Sequence, residues 1–330
     1  MTSFLLWVDI TVTLLGGIHG TFYSRHNRIL SRTLETLRRN RGDRRMLTFT
    51  HPGKIGDLLY SLHYCLDKTV DEFEDKFIFN IKTNTAPIDI NPNWHDSNKL
   101  LSDKDAQFIK PLLEAQPYIE KVTINAKDEG IQLSKYMCCS LNQMGGDIRD
   151  YYYQVDGNTF PREFWYPLIG AKENDIYKKY ADRFIITYTG RYSNVLIDLK
   201  ALAPYAEHFV FLGTDEEHEH FKKEFFDVTG MIPTEEDSLL DCAEFMATCR
   251  GFIGGQSGLY ALAEMMKIPR ILLTPDWLLP DGVKPKPGEQ VGVVMGPKNV
   301  NPLGGVCCTS NRTERLISVL ETLLKERPLN

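Results

Sequence analysis

The residues best placed to do chemistry begin at Gly251-Phe-Ile-Gly-Gly-Gln-Ser-Gly258, followed by an apolar helical stretch, Pro269 and the strand-like run Arg270–Thr274. The pattern is strand, glycine-rich turn, helix, strand. Gly254 and Gly255 permit backbone geometry closed to other residues. Ser257 and Gly258 open the helix, so its first N–H groups and its positive dipole end point into the turn, a seat for an anion such as a diphosphate. A tight connection with Ser257 serving only as N-cap would use the same residues. A second cluster, His51-Pro-Gly-Lys-Ile-Gly-Asp-Leu-Leu59, brings Lys54, Gly56 and Asp57 together in a loop before a helix. Its lysine does not close a Gly-X4-Gly-Lys-Ser/Thr run, so it is not a P-loop. His218 and His220 form a His-X-His pair in an acidic helix without a third ligand, which reads as a solvated face rather than a metal centre.

These residues need elements to hold them. From Met46 onward short apolar runs alternate with amphipathic stretches, the pattern of an α/β protein with parallel sheets. Strands are expected at Met46–Thr50, Lys76–Lys82 and Tyr118–Ile124, with helices at Asp57–Leu66 and Asp103–Ala115. Ala126–Gly170, rich in glycine, aspartate and aromatics, has no clean period. A second series follows: strands at Phe184–Thr189, His208–Leu212, Gly251–Gly254 and Arg270–Thr274, and helices at Val195–Tyr205, Asp215–Phe226, Ser238–Cys249 and Ser257–Met266. Thr274–Gly305, crowded with proline and glycine, reads as loop. Asn311–Lys325 reads as a closing helix with Asn311 and Glu314 as a capping box.

The 330 residues suit two domains, here 46–175 and 176–330. With 42% hydrophobic and 25% charged residues the chain can bury real cores. A formal net charge of −6 argues against a protein that coats nucleic acid. Seven cysteines without a Cys-X-X-Cys spacing suggest neither a zinc ribbon nor a dithiol redox site, and fit a reducing, cytoplasmic compartment. Residues 1–45 stand apart. Phe4–Ile18 is apolar but interrupted by Asp9 and two glycines, and it falls short of the ~20 residues of a membrane span. Eight arginines follow, between Arg25 and Arg45, answered only by Glu35 and Asp43. One reading rests this segment peripherally on the inner face of an anionic membrane; the other makes it an extension outside the folded domain.

With these residues in hand, the sequence resembles glycosyltransferase family 9, the lipopolysaccharide heptosyltransferases. Leu239-Leu-Asp-Cys-Ala-Glu-Phe-Met-Ala-Thr-Cys-Arg-Gly251 and the turn after it are similar to the family's helix leading into its donor-phosphate turn. His51–Leu59 resembles its opening strand-loop, Gln116-Pro-Tyr-Ile-Glu-Lys-Val122 a later segment of its first domain, and Phe211-Leu-Gly-Thr-Asp-Glu-Glu217 the strand ending beside the donor ribose. The motifs span Met46 to Thr274 in the family's order.

The resemblance implies a GT-B fold, two Rossmann-like domains facing each other across a cleft. It also implies inverting transfer from a nucleotide diphosphate sugar to a hydroxyl of a glycan or glycolipid acceptor, with no metal in the chemical step and no cofactor. Asp57 falls on the family's catalytic aspartate, a base for the acceptor hydroxyl. A helix N-cap is the other role open to it. Gly56 would admit the acceptor. Gly255, Gln256, Ser257 and Gly258 would hold the donor, with Thr189 and Arg191 in the loop after the second domain's first strand and Lys54 facing the same cleft; a solvated loop arginine is the other role open to Arg191. Glu217 would take the ribose hydroxyls, although it also lies in the acidic run Asp215–Glu219. Two positions depart from the family: Gln256 stands for its aspartate, and Ala261 for a frequent histidine. Trp94, Tyr151, Tyr152, Tyr153, Trp165 and Tyr166 offer aromatic faces to sugars or to packing. A sugar-nucleotide 2-epimerase or a non-catalytic nucleotide-sugar-binding protein would use the same architecture.

Overall fold

The computed structural model describes residues 46–72, 74–85, 101–127, 130–139, 148–158, 168, 171–189, 197–255, 257–273, 305–308 and 313–326. Gln256, Arg191, Trp94, Trp165, Tyr166, Asn311 and residues 1–45 lie outside them. Among the described residues no helix is long and apolar enough to cross a membrane.

Two parallel sheets form the frame. The first contains β1 (Thr48–His51), β2 (Phe77–Ile81), β3 (Ile119–Ile124) and β4 (Ile131–Gln132), in the spatial order β3-β2-β1-β4. Helices α1 (Ile55–Asp71) and α2 (Asp103–Glu114) make its crossovers; a 3-10 helix (Leu133–Cys138) and α3 (Ile148–Gln154) follow β4. The second sheet contains β5 (Phe184–Ile186), β6 (Phe209–Leu212), β7 (Gly230–Met231), β8 (Gly251–Gly254), β9 (Arg270–Leu273) and β10 (Gly305–Cys308). Its spatial order, β7-β6-β5-β8-β9-β10, is the doubly wound order of dinucleotide-binding folds. With it go α4 (Asp215–Glu224), α5 (Leu239–Thr248), α6 (Gly258–Met265) and α7 (Thr313–Glu326).

Alternation builds both layers. Ile185, Val210, Phe252 and Leu272 join the core that also contains Phe49, Phe79 and Leu59 of the first half. Their neighbours Ile186, Phe211, Ile253 and Ile271 pack on the other face with Leu316 and Leu320 of α7. The second sheet is therefore buried on both faces, which is why its strands read as continuous apolar runs. Between the halves α1 packs on α6, and α2 on α5.

Several elements differ from the sequence expectation. The helix α1 starts at Ile55 and ends at Asp71 rather than spanning Asp57–Leu66. The helix expected over Val195–Tyr205 is, among the described residues, a 3-10 helix at Leu199–His208, started by Asp198, whose side chain accepts from the Lys200 N–H. Pro204 has no N–H for an α-helical bond and disfavours α geometry at the residue before it. The unreadable stretch after Ala126 supplies β4 and α3, and β10 begins where only loop was expected.

Candidate functional site

In a doubly wound sheet, ligands bind beyond the carboxyl ends of the strands, where the strand order reverses. The first sheet reverses between β1 and β4, the second between β5 and β8. Asp57 follows β1, and the glycine-rich turn follows β8, so both motifs stand at a reversal point.

The loop after β1 is built on a buried histidine. The Gly53 N–H donates to His51 Nδ1 at 2.7 Å, which leaves the ring proton on Nε2, 2.9 Å from the Tyr152 hydroxyl. Tyr152 in turn donates to the main-chain carbonyl of Asp57 at 2.6 Å. A Cβ on Gly53 would lie 2.3 Å from His51 Cε1 and 3.4 Å from Asp57 Cβ, so the position requires glycine through close approach. The N-cap of α1 is Lys54, which places Asp57 at the third helical position and not at the cap. The N-cap reading of Asp57 is thereby corrected: Asp57 is half-buried in the first turn, and Gly56 beside it is buried.

Burial lowers the His51 pKa from 6.5 to about 3. The unfolded chain therefore takes up a proton near pH 6.5 while the folded chain does not until about pH 3. The contribution of His51 to stability is present above pH 6.5 and is lost as pH falls through that window, by about 3 kcal/mol at pH 4. Urea unfolding of the native chain and His51→Gln between pH 7 and 4 should show their stability difference shrinking. Parallel pH dependences would sink this account.

Across the site, β8 ends at Gly254, and Ser257 caps α6 by accepting from the Tyr260 N–H at 3.1 Å. The remaining first-turn N–H groups stay available to an anion. A Cβ on Gly254 would meet Thr187 Oγ1 at 2.1 Å. Thr187 is 2% exposed, and its hydroxyl has no hydrogen-bond partner among the described residues, while its N–H donates to Ile253 at 3.0 Å. A buried hydroxyl without a partner at a strand-order reversal is the kind of group a ligand satisfies. Thr189, expected at the site, is exposed; period-2 counting from Ile185, on the core face, points to Thr187.

The two motifs touch. A Cβ on Gly258 would lie 3.0 Å from Ile55 Cβ and Cγ2 and 3.7 Å from the Gly56 nitrogen. The N-termini of α1 and α6 thus converge, two positive dipole ends with Asp57 as a nearby negative charge. Glu217 sits at the third position of α4, where its Oε2 accepts from the Thr214 N–H at 3.0 Å in a capping box, so one carboxylate oxygen is engaged locally. His218 is buried rather than on a solvated face: Nε2 lies 2.8 Å from the Val228 carbonyl, and the ring stacks on Phe211. Tyr151, Tyr152 and Tyr153 are buried in α3, which commits them to packing.

No protein-family model matches the sequence, and neither does any curated protein. Solved structures match in fold. A glycosyl transferase family 9 protein from Veillonella parvula superposes with a TM-score of 0.53 at 12% identity, covering 86% of this chain and 98% of that one. The E. coli heptosyltransferase WaaC, solved with ADP, gives 0.50 at 10% identity, covering 86% and 99%. With its two doubly wound parallel sheets, the chain has the GT-B fold shared by these family 9 glycosyltransferase structures.

Proposed function

We propose that the protein is an inverting glycosyltransferase that moves a sugar from a nucleotide diphosphate sugar to a hydroxyl of a glycan or glycolipid acceptor, with no metal in the chemical step. The observation that supports this reading is the contact between Gly258 and Ile55–Gly56, which brings the first turn of α1, with Asp57 in it, to the N-terminus of α6. The acceptor oxygen attacks the anomeric carbon from the face opposite the diphosphate. As that C–O bond forms, the bond to the diphosphate oxygen breaks and its electron pair leaves with the nucleoside diphosphate. Asp57 takes the acceptor proton. Charge developing on the leaving group is met by the N–H groups of α6, with Arg191, Lys54 and the Thr187 hydroxyl as further donors. Gln256 and Ser257 line the donor, and the second Glu217 oxygen serves the ribose. Residues 1–45 are proposed to bring the protein to a membrane surface where a glycolipid acceptor would lie. The solved relative carrying ADP favours a nucleoside diphosphate as the first ligand to try.

Thermal shift with ADP, UDP, GDP, CDP and dTDP and their sugars tests the reading. One series should raise the melting point by several degrees when ligand exceeds Kd about 100-fold. The matching nucleotide sugar should then release nucleoside diphosphate, faster with acceptor present. If no nucleotide shifts the melting point, the donor site is wrong. Interconversion of the free nucleotide sugar without release would make the protein an epimerase, and binding without any turnover would make it a binding protein.

A further inference from the structure

The sequence gives no hint of what lies behind Asp57. Its helix turn is backed by groups from three separate elements: His51 at the end of β1, Tyr136 in the 3-10 helix after β4, and Tyr152 on α3. Their side chains are fully or almost fully buried. The hydrogen bonds run in one direction, from the Gly53 N–H to His51 Nδ1, from His51 Nε2 to the Tyr152 hydroxyl, and from Tyr152 to the Asp57 carbonyl. The Tyr136 ring meets Tyr152 edge-on, with centroids 4.9 Å apart, and its phenol lies within interaction range of the Asp57 carboxylate.

We infer that His51 and Tyr152 are positioning residues for Asp57: their hydrogen-bond chain fixes the first turn of α1, and so the direction in which the carboxylate faces the acceptor. This inference rests on the proposed role of Asp57 as base. A carbonyl in the first turn of a helix normally has one helical N–H as partner, and a second, buried donor pins that peptide plane. Every member of the chain has a fixed protonation state. Burial keeps His51 uncharged, and burial followed by the Asp57 charge keeps the Tyr152 phenol protonated as a donor. The chain therefore holds one donor–acceptor order across the working pH range. Misplacing a reacting group by about 1 Å can cost on the order of 100-fold in rate, so such a support acts on turnover more than on binding.

The test compares Tyr152→Phe with Tyr153→Phe. Both remove one hydroxyl from α3, but Tyr153 donates to Asp67, away from the site. The first readout needs no substrate: ¹³C NMR of the Asp57 carboxyl and amide exchange at Leu58–Ser61, the first N–H groups bonded within α1. Tyr152→Phe should change the carboxyl titration and speed exchange in that turn by roughly 10-fold or more, while Tyr153→Phe leaves both as in the native protein. The second is release of nucleoside diphosphate from the donor found by thermal shift: kcat should fall roughly 10- to 100-fold with donor KM within about threefold. If Tyr152→Phe leaves the Asp57 titration and exchange unchanged, or if Tyr153→Phe changes them equally, the inference is overturned. Those outcomes are independent of turnover. The failure of Asp57 as base shows separately, as undiminished release in Asp57→Asn.

Discussion

Replacing Glu264 by glutamine is expected to destabilise the protein by about 3–5 kcal/mol, a large share of the stability of a chain this size. Glu264 is fully buried on α6, and three groups converge on it. Tyr60 of α1 donates to its Oε2 at 2.7 Å, and Arg149 Nη1 of α3 and Arg270 Nη2 of β9 each lie 3.4 Å from its Oε1. The guanidiniums are 3% and 0% exposed, so neither can turn to water when the carboxylate is neutralised. Glutamine keeps the shape and an acceptor for Tyr60 but leaves two buried cations facing each other without that charge. The cost is one of desolvation, not of the pairing itself, and this separates two outcomes. Glu264→Leu with Arg149→Met and Arg270→Met should recover most of the loss, because apolar side chains of similar volume carry no charge to bury. Equilibrium urea unfolding measures both variants. A loss under about 1 kcal/mol in Glu264→Gln, or a triple variant no better than the single one, would contradict this account.

That network also marks where the sequence stopped being readable. Arg149 and Glu264 are 115 residues apart in the chain, and nothing local distinguishes a charge that meets its partner in the core from one in water. The one available hint is compositional: Glu264 is the lone charge in the otherwise apolar run Leu259–Met266. Strands such as Phe209–Leu212 were legible because burial on both faces makes them apolar throughout. The strand β4 was not: it has two residues, and its pairing with β1 is a non-local fact. The signal nearest to it is Gly130, at φ +53, where a Cβ would fall 2.1 Å from the Thr48 carbonyl. Only glycine lets the chain come so close to β1 there, and one isolated glycine does not announce that.

The glycine-rich turn after β8 was legible for the opposite reason. Its glycines, the Ser257 cap and the helix behind them are adjacent in sequence, so local chemistry specifies local geometry. What remained hidden is which residues other parts of the chain bring to it. Ile55 and Gly56 reach Gly258 across about 200 residues, and Thr187 reaches Gly254 through the pairing of β5 with β8. The triple tyrosine of α3 defeated the periodicity argument because all three side chains are buried, which erases the alternation between a wet and a dry face.

Asp57→Asn should lower nucleoside diphosphate release by about 10²–10⁴-fold, the usual contribution of a positioned general base. Its effect on folding should be small. A first-turn carboxylate gains about 0.3–1 kcal/mol from the helix dipole, and asparagine forfeits roughly that much. The two magnitudes differ enough to separate a chemical role from a structural one in a single variant. Ligand affinity supplies a further check with a definite sign. Asp57 lies where two positive helix ends approach each other, so its charge opposes an anionic diphosphate bound at α6. Removing that charge should leave binding of the nucleoside diphosphate unchanged or tighten it, never weaken it. Titration calorimetry of native and Asp57→Asn protein with the nucleotide chosen by thermal shift decides the matter. Slow release with equal or tighter binding assigns Asp57 to the proton transfer. Weaker binding with a lowered melting point would return it to a supporting role in α1, and release within about threefold of native would place the base elsewhere.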